Sequence, residues 1–498
     1  MPSSGPHVAK GNRMSQNIAP PPIPIIPPSP VSEPGTYRAG ALRYNLYGLI
    51  VVCFWLVWGG FVSTLCDGSI PGILPLAFKD LGASIEANAL LNKTIAYLIA
   101  FVLAPIVSFW SDRHRGRRGR RIPFLLWSTP FVGLFLVLIG LHQDFASLVL
   151  GDVPSMQIGG FVLTKASISI AILAVLIVGY NLANVFIGTI QWYLFNDVVP
   201  QGVMARFLSV YRIGGTGAGM LYSGFLFPHA IGWFRYMFIA AGFGLVIGFL
   251  LMCFMVKEGP YPPPPPNYDG RKGFGSAFIT FFAESFGHKF FWFFFLANTF
   301  MFVSWQTGMF TTLRNRNVLG LTLQDLGTLG MYSGYASLLL MFPLAWVVDI
   351  LHPVRVYVVA AIANLLSLLA QCIWIFADFG PAGNLTMLYV ISFVFMPIGI
   401  AQGAAELPLY MRIFPKSRYG QFCAANAMVR SLTLFAMPYL AGRFMGLLQY
   451  RVGLGERAYC WYPVWTLFFQ IVAIVFLLLV YKEWKARGGV KGYVPPLA

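Results

Sequence analysis

The stretch SFWSDRHRGRRGRRIPF (108–124) decides the fold, because it joins two apolar segments through a short run of arginines. The flanking segments cover residues 89–110 and 122–141, and each has the length of about 20 residues that crosses a bilayer as a helix. Basic residues beside apolar segments mark the cytoplasmic side of a membrane protein. The run therefore predicts a cytoplasmic loop between two membrane-spanning helices.

The composition agrees with a chain that lies mostly in lipid. Of the 498 residues, 57% are hydrophobic and 10% are charged, against roughly 45–50% and 25% in soluble domains. The net charge of +17 raises the question of nucleic-acid binding, but basic residues beside apolar segments report membrane orientation. We therefore expect a lipid bilayer and no nucleic acid among the partners.

Twelve apolar segments follow one another, six on each side of a proline-rich stretch. The stretch KEGPYPPPPPNYDGRKGFGS (257–276) cannot continue a helix, since its five consecutive prolines remove backbone donors. The sequence therefore predicts an all-α membrane protein of twelve transmembrane helices in two pseudo-symmetric six-helix bundles. The segments cover residues 46–78, 89–110, 122–141, 167–195, 207–228, 234–256, 289–312, 327–349, 355–377, 385–411, 421–442 and 461–482.

Domain organisation follows from these segments. An even number of spans places both termini, which carry basic residues, on the side of the arginine run. Residues 1–40 are polar and proline-rich and do not resemble a signal peptide. We expect a multi-pass protein of the plasma membrane or the bacterial inner membrane with both termini cytoplasmic. Its parts are a disordered Pro-rich cytoplasmic tail (1–43), an N-terminal six-helix bundle (44–256), a cytoplasmic linker (257–288), a C-terminal six-helix bundle (289–482) and a cytoplasmic tail (483–498).

The two halves echo each other in sequence. VVPQGVMARFLS (198–209) matches IFPKSRYGQFCA (413–424), which pairs Pro200 with Pro415. The end of the second span is echoed by AWVVDILHPVR (345–355), where Asp349 answers Asp112. Chance similarity among apolar helices is the alternative explanation. Internal repeats of this kind are typical of alternating-access transporters.

Ionisable side chains at membrane depth are costly and mark candidate functional sites. Asp67 begins the stretch DGSIPGILP (67–75), so it either lines a cavity at a broken helix or lies in an outer loop in water. Arg212 and Arg430 lie a turn or two into the fifth and eleventh spans, and Glu406 lies late in the tenth. The arginines either face the cleft between the halves or extend to the cytoplasmic surface.

Amide side chains recur on the fourth span. Asn181, Asn184 and Gln191 fall on one face of a helix. This stripe either binds a polyhydroxylated solute or holds helices together by hydrogen bonds. Trp305 and Gln306 in the seventh span add an aromatic surface and a further amide, as a sugar site requires.

Enzyme and cofactor motifs are not found in the sequence. It contains no GxxxxGK[ST], HExxH or GxSxG pattern. The six cysteines show no CxxC spacing. We therefore expect a protein that is not an enzyme and has no cofactor and no metal site. Cys66 and Cys460 both fall on the predicted outer side. They either form a disulfide or remain two buried thiols.

The loop SDRHRGRRGRRIPF (111–124) resembles the signature loop of the major facilitator superfamily, in the form carried by glycoside-pentoside-hexuronide symporters and sucrose-type transporters. In that family the loop forms a charge latch at the cytoplasmic gate and does not bind substrate. Asp197 resembles the acidic residue that ends the fourth helix at the same gate, and Asp349 takes the place of Asp112 in the repeat. The residues that match the loop motif are Asp112, Arg113, Gly119, Arg120, Arg121 and Pro123.

The resemblance extends more weakly over residues 44–482 and implies a substrate site. In the sugar-symporter branch, an aspartate of the first helix, an acidic residue of the fourth and an arginine of the fifth hold sugar hydroxyls. Asp67, Asn184 and Arg212 occupy similar positions here, and Asn184 departs from the family by replacing a carboxylate with an amide. Sodium-coupled members carry aspartates in the second helix, where NKTIAYLIAFVLAP (92–105) has no carboxylate.

These observations lead to the hypothesis of a monomeric, proton-coupled sugar or glycoside symporter that works by alternating access. Asp67, Glu406 and Arg430 are the candidates for proton coupling. One alternative is a transporter of another polar metabolite or drug, because the fold does not fix the substrate. Another is a non-transporting membrane sensor on the same fold.

Overall fold

The computed structural model describes residues 37–151, 155–158, 161–260, 282–306, 308–415 and 418–496. The first 36 residues of the predicted tail and residues 261–281 of the predicted linker lie outside the described residues. The N-terminal half contains α1 (Leu46–Asp67), α2 (Ser69–Asp80), α3 (Ile85–Ala89), α4 (Ile95–Arg113), α5 (Ile122–Gly140), α6 (His142–Leu150), α7 (Lys165–Val198), α8 (Met204–Leu221) and α9 (Phe234–Met255).

The C-terminal half is also built from helices. Short π-helical turns lengthen helices of both halves, at Leu90–Thr94, Tyr222–Leu226, Arg314–Val318 and Leu447–Arg451, and a 3-10 helix covers Gly455–Trp461. The helices are α10 (Lys289–Trp305), α11 (Gly308–Leu313), α12 (Leu323–Leu351), α13 (Pro353–Gln371), α14 (Ile373–Phe376), α15 (Gly380–Ile413), α16 (Tyr419–Gly446), α17 (Tyr462–Ala486) and α18 (Gly489–Gly492).

Ten helical segments of the described chain are long and apolar enough to cross a membrane. The fifth and seventh predicted spans are α8, with 18 residues, and α10, with 17. The predicted all-α membrane fold is confirmed. The interruption predicted in the first segment lies at Gly68, which separates α1 from α2.

Two antiparallel hairpins lie outside the helices. Strands β1 (Tyr37–Ala39) and β2 (Leu42–Tyr44) pair with Tyr37 opposite Tyr44, and β3 (Ser155–Ile158) pairs with β4 (Phe161–Thr164). The first hairpin falls in the predicted disordered tail, so that prediction is wrong for these residues. Its turn contains Gly40 at φ 56°, a conformation that glycine adopts without steric cost.

The C-terminal end is also more ordered than the sequence suggests. Helix α17 continues to Ala486, beyond the predicted end of the span at 482. The hydroxyl of Tyr493 donates to the carbonyl of Ile413 at 3.1 Å, and its ring lies 6.1 Å from that of Phe290. The predicted tail is therefore attached to the bundle by a hydrogen bond and an aromatic contact that apolar periodicity does not reveal.

Each half has its own hydrophobic core. In the N-terminal half, Leu56, Leu136 and Phe249 are fully buried, while the C-terminal core is built around the aromatic run Phe290–Phe295 and Phe414. All six cysteines are free, and Cys66 and Cys460 are buried. The alternative of two buried thiols is therefore the correct one.

The two halves meet where α3 and α4 contact α16 and where α8 and its π-helical turn contact α12. We call the end of the molecule that carries residues 114–121 the loop face and the other end the opposite face. Three glycines of α12, Gly327, Gly330 and Gly334, lie directly against Ser223 and Met220 of the α8 segment. These glycines form what we call the glycine seam, which lets two helices of different halves approach closely towards the opposite face.

Candidate functional site

Four of the predicted gating residues come together at the loop face. Nε and Nη2 of Arg120 donate to Asp197 at 2.9 and 2.6 Å, and Nε of Arg121 donates to the same carboxylate at 3.0 Å. Arg121 also donates to Asp112 Oδ1 at 2.5 Å and to Ser111 Oγ at 2.5 Å. The side chains of Arg121 and Asp197 are 5% and 11% exposed, whereas that of Asp112 is 52% exposed. Asp197 is therefore the buried centre of this arginine latch.

A carboxylate that sequence reasoning missed completes the arginine latch. Glu258 accepts hydrogen bonds from the backbone N–H groups of Arg120 (2.9 Å), Arg121 (2.9 Å) and Ile122 (2.6 Å). A negative charge at the first turn of a helix satisfies its unpaired donors and its dipole. Glu258 thereby ties the start of α5 to the end of α9. The signal in the sequence was an acidic residue directly after the sixth span, on the side of the arginine run.

Two further motif residues shape the start of α5. Gly119 has φ 100°, and a Cβ atom there would collide with Glu258. Pro123 lies in the first helical turn, where its missing N–H costs nothing. The motif therefore places a glycine where the backbone must turn and a proline where the helix begins. Arg113 ends α4, and its side chain lies outside the described residues.

The repeat of this loop in the C-terminal half does not form the same network. Asp349 is exposed and has no ion pair or hydrogen bond to any residue in the described ranges. Helix α13 begins at Pro353, so only His352, at φ 74°, separates it from α12. This connection is too short to carry a pair of arginines back to Asp349. The predicted equivalence of Asp349 and Asp112 is therefore confined to sequence.

Polar side chains of three spans, α10, α15 and α16, cluster in the C-terminal half. The hydroxyl of Tyr410 donates to Glu406 Oε1 at 2.7 Å, and Asn298 Nδ2 donates to Tyr410 at 2.5 Å. Arg430 lies 4.3 Å from the ring of Phe302 and within electrostatic range of Tyr410. Among the described residues, no ion pair neutralises Glu406. Two of the proton-coupling candidates, Glu406 and Arg430, thus lie around one tyrosine.

The same cluster reaches the N-terminal half through one hydrogen bond. Tyr97 of α4 donates to Gln306 Oε1 at 2.6 Å, directly after the end of α10, and lies in the field of Arg430. The neighbouring Trp305 is 39% exposed, so part of its indole remains accessible. We call this set the central cluster. Its members are Tyr97, Asn298, Phe302, Trp305, Gln306, Glu406, Tyr410 and Arg430.

The predicted amide stripe on α7 is only partly available to a solute. Asn181 and Asn184 are half-buried, and the Asn181 amide donates to the Ile177 carbonyl of its own helix at 2.8 Å. Gln191 is 5% exposed, and its Nε2 has no hydrogen-bond partner among the described residues. Gln191 therefore lies inside the N-terminal bundle, apart from its two companions.

Arg212 and Arg430 do not occupy equivalent environments. Arg430 belongs to the central cluster, whereas Arg212 is exposed on α8 and has no ion pair within the described part of the chain. Its carbonyl accepts a hydrogen bond from Thr216 at 3.0 Å. Asp67 ends α1, and its side chain lies outside the described residues.

Ion pairs join the two halves at the opposite face. Lys79 at the end of α2 bonds to Glu456, which also accepts from Asn317 at 3.3 Å. Arg316 lies 3.4 Å from Asp80, and Arg443 lies 3.9 Å from Glu86. At the loop face the latch pairs lie within the N-terminal half, and Arg418 and Glu284 form a pair within the C-terminal half. The described charge pairs between the halves therefore close the opposite face.

We expect Lys79→Glu to favour opening at the opposite face by about five-fold, since a partly exposed ion pair contributes at most about 1 kcal/mol. Adding Glu456→Lys restores an attractive pair and should return the equilibrium towards that of the unchanged protein. The readout is the labelling rate of a single cysteine in place of Met331, which lies against Gly224, in a variant without the natural cysteines. A double variant that labels as fast as Lys79→Glu alone would contradict the prediction.

Two six-helix bundles that meet around polar side chains are the architecture expected of a membrane transporter. A family model described as Major Facilitator Superfamily matches residues 56–438. The chain belongs to this superfamily and is a multi-pass membrane transporter. Comparison with curated protein sequences gives no match.

Solved structures agree on the fold. A bacterial homologue of the human lysosomal transporter Spinster, in an inward-facing and unoccupied conformation, is 16% identical with a TM-score of 0.61, covering 88% of this chain and 97% of that one. A D-xylose–proton symporter is 11% identical with a TM-score of 0.58 over 88% and 97%. The nucleoside transporter NupG is 13% identical with a TM-score of 0.55 over 86% and 99%. Because two of these proteins are named for different solutes, D-xylose and nucleosides, the comparisons define the architecture and not the cargo.

Proposed function

We propose that this transporter moves a sugar or glycoside together with a proton by alternating access, as a member of the sugar-symporter branch. The observation that carries the proposal is Glu406, a carboxylate within a membrane span whose described partner is the Tyr410 hydroxyl. A charged group in such a place is costly, so a carboxylate there is suited to taking up and releasing a proton between two conformations. Arg430, the other candidate for proton coupling in the C-terminal half, lies within electrostatic range of the same Tyr410 hydroxyl.

A hydroxylated solute fits the side chains around this carboxylate. Sugars are held by amides and carboxylates together with an aromatic surface, and the neighbouring residues Gln306 and Trp305 contribute an amide and a partly exposed indole. Asn181, Asn184 and Asp67 would complete the site from the N-terminal half. A D-xylose–proton symporter has the same fold, so the architecture is compatible with a sugar as the cargo.

The contacts between the halves support a state that is open towards the loop face. The opposite face is closed by the Lys79–Glu456 pair and by the glycine seam. Because positive residues concentrate on the cytoplasmic side, the loop face is the cytoplasmic one and both termini lie there. In the alternate state the opposite-face pairs separate, and the arginine latch acts as the gate at the loop face. We propose that one chain, as a monomer in the plasma or bacterial inner membrane, completes this cycle.

Uptake into proteoliposomes tests the proposal. With an inward proton gradient, we expect accumulation of one member of a panel of labelled mono- and disaccharides, and a protonophore should abolish it. Unlabelled competitors then rank the sugars. Loss of uptake in Asp67→Asn would place Asp67 in the site. Uptake of a nucleoside or a peptide but no sugar would favour the alternative cargo class, uptake that ignores the gradient would contradict proton coupling, and no uptake of any solute would favour a membrane sensor.

A further inference from the structure

An apolar groove of about 420 Å³ opens on the surface of the C-terminal half. It lies between α12, α13 and α15, where Leu351, Val359, Ala363 and Ile398 contribute to its lining. Leu351 and Val359 are exposed, so the groove faces the surroundings of the bundle. Arg355 is the one charged residue among those that line it. A surface of this kind accepts a hydrocarbon chain far better than a hydroxylated solute.

The charge at the rim of this groove is positive, and no acidic side chain of the described residues pairs with it. Arg355 lies in the first turn of α13, is exposed, and forms no ion pair among the residues in the described ranges. Burial, followed by the guanidinium groups of Arg412 and Arg355, lowers the pKa of His352 beside it. Two arginines thus converge on one imidazole at the loop face. The groove therefore has an apolar body and a positive end, which matches a chain with an anionic head.

A second groove of the same kind lies in the N-terminal half. It measures about 360 Å³ and runs between α1 and α8, where Ile50, Phe54 and Val210 are exposed. Among its described lining residues, Arg206 is the one that is charged, and it is also exposed and has no ion pair within the described part of the chain. Arg206 lies at the start of α8 and so at the loop face as well. The two grooves are formed by different helices, yet they have similar volumes, apolar linings and an arginine at the loop face.

We propose that each groove binds one anionic phospholipid of the surrounding bilayer, with an acyl chain along the apolar lining and the headgroup phosphate on the arginine. A guanidinium pairs with phosphate through two parallel hydrogen bonds, so one arginine fixes a headgroup in place. Basic pockets between membrane helices on the cytoplasmic side bind anionic headgroups. The arginine run of the same face adds a long-range attraction for negative lipid. The proposal depends on the grooves alone and does not require that the cargo is a sugar.

Native mass spectrometry of the full chain, purified from detergent with added phosphatidylglycerol or phosphatidylcholine, tests the proposal by counting retained lipids. We expect two phosphatidylglycerol molecules on the unchanged protein and fewer phosphatidylcholine molecules. Arg355→Gln and Arg206→Gln should each lose one phosphatidylglycerol, and the double variant should lose both. Arg117→Gln removes the same charge from the arginine run at the same face, outside both grooves, and should keep two.

A second variant separates the groove from the charge. Ala363→Phe keeps Arg355 but fills the lining of the first groove, and it should lose one lipid as Arg355→Gln does. Single arginine variants that retain two phosphatidylglycerol molecules would overturn the proposal. So would a loss in Arg117→Gln as large as that in Arg355→Gln, because the attraction would then come from the face as a whole. Equal retention of phosphatidylcholine would show that the arginines do not select an anionic head.

Discussion

Glu406→Gln is expected to abolish concentrative uptake while leaving exchange of the solute across the membrane intact. The amide can still accept a hydrogen bond from Tyr410, so the central cluster keeps its geometry. It cannot take up and release a proton in the way a carboxylate does. Without that event the proton gradient no longer acts on the carrier, and the internal solute concentration should rise only to the external one.

Two assays in proteoliposomes separate these functions. Gradient-driven accumulation reports coupling, whereas counterflow, with solute on both sides and no gradient, reports the movement of the loaded carrier alone. A matched control is Glu284→Gln, because Glu284 pairs with Arg418 at the loop face, away from the central cluster. The control should accumulate solute as the unchanged protein does. If Glu406→Gln still accumulates solute against the gradient, Asp67 becomes the remaining acidic candidate.

Asp197→Asn is expected to cause the largest loss of stability among single changes in the arginine latch. Asp197 accepts bonds from both Arg120 and Arg121, and Arg121 is almost completely buried. Removing one partner of a buried ion pair costs about 3–5 kcal/mol, since it leaves an uncompensated charge. Thermal unfolding followed by tryptophan fluorescence should show a clear fall in the midpoint temperature.

The same network contains its own control. Asp112 binds Arg121 through one oxygen but is half exposed, so water can replace the lost contact in Asp112→Asn. An exposed pair contributes about 0.2–1 kcal/mol, and we expect this variant to be correspondingly closer to the unchanged protein. Equal losses of stability in the two variants would contradict the prediction, because burial would then not determine how much each carboxylate contributes to stability. Both variants should be compared in the same detergent and at the same ionic strength.

The long apolar runs were enough to predict the fold, because a bilayer imposes the length and polarity of each span. The hairpin at Tyr37–Tyr44 and the attachment of Tyr493 were missed, since both lie in polar segments where no apolar periodicity exists. They depend on a few local bonds. Such bonds depend on how the ends of the helices are arranged in space. That arrangement cannot be predicted from a single sequence.

The candidate site was predicted residue by residue but not as a set of contacts. Glu406 and Arg430 were identified because charges inside spans are rare, whereas Tyr410 and Asn298 are neutral and common in such helices. Glu258 lies in a stretch that the prolines mark as a linker, so its bonds to the start of α5 were not foreseen. Pairing between spans distant in sequence is a property of packing, and only the structure supplies it.

The glycine seam has a consequence for how the carrier responds to its medium. Salt weakens ion pairs at the surface, with a screening length of about 8 Å at physiological ionic strength. Lys79 and Glu456 therefore attract each other less strongly at high ionic strength. Packing of Gly327 and Gly330 against Ser223 depends on shape and does not weaken with salt. The glycine seam therefore keeps the two halves in contact at the opposite face when salt weakens the Lys79–Glu456 pair. A molecule designed to hold the carrier open at this face must insert between the helices of the glycine seam. Neutralising the charges alone would leave the seam closed.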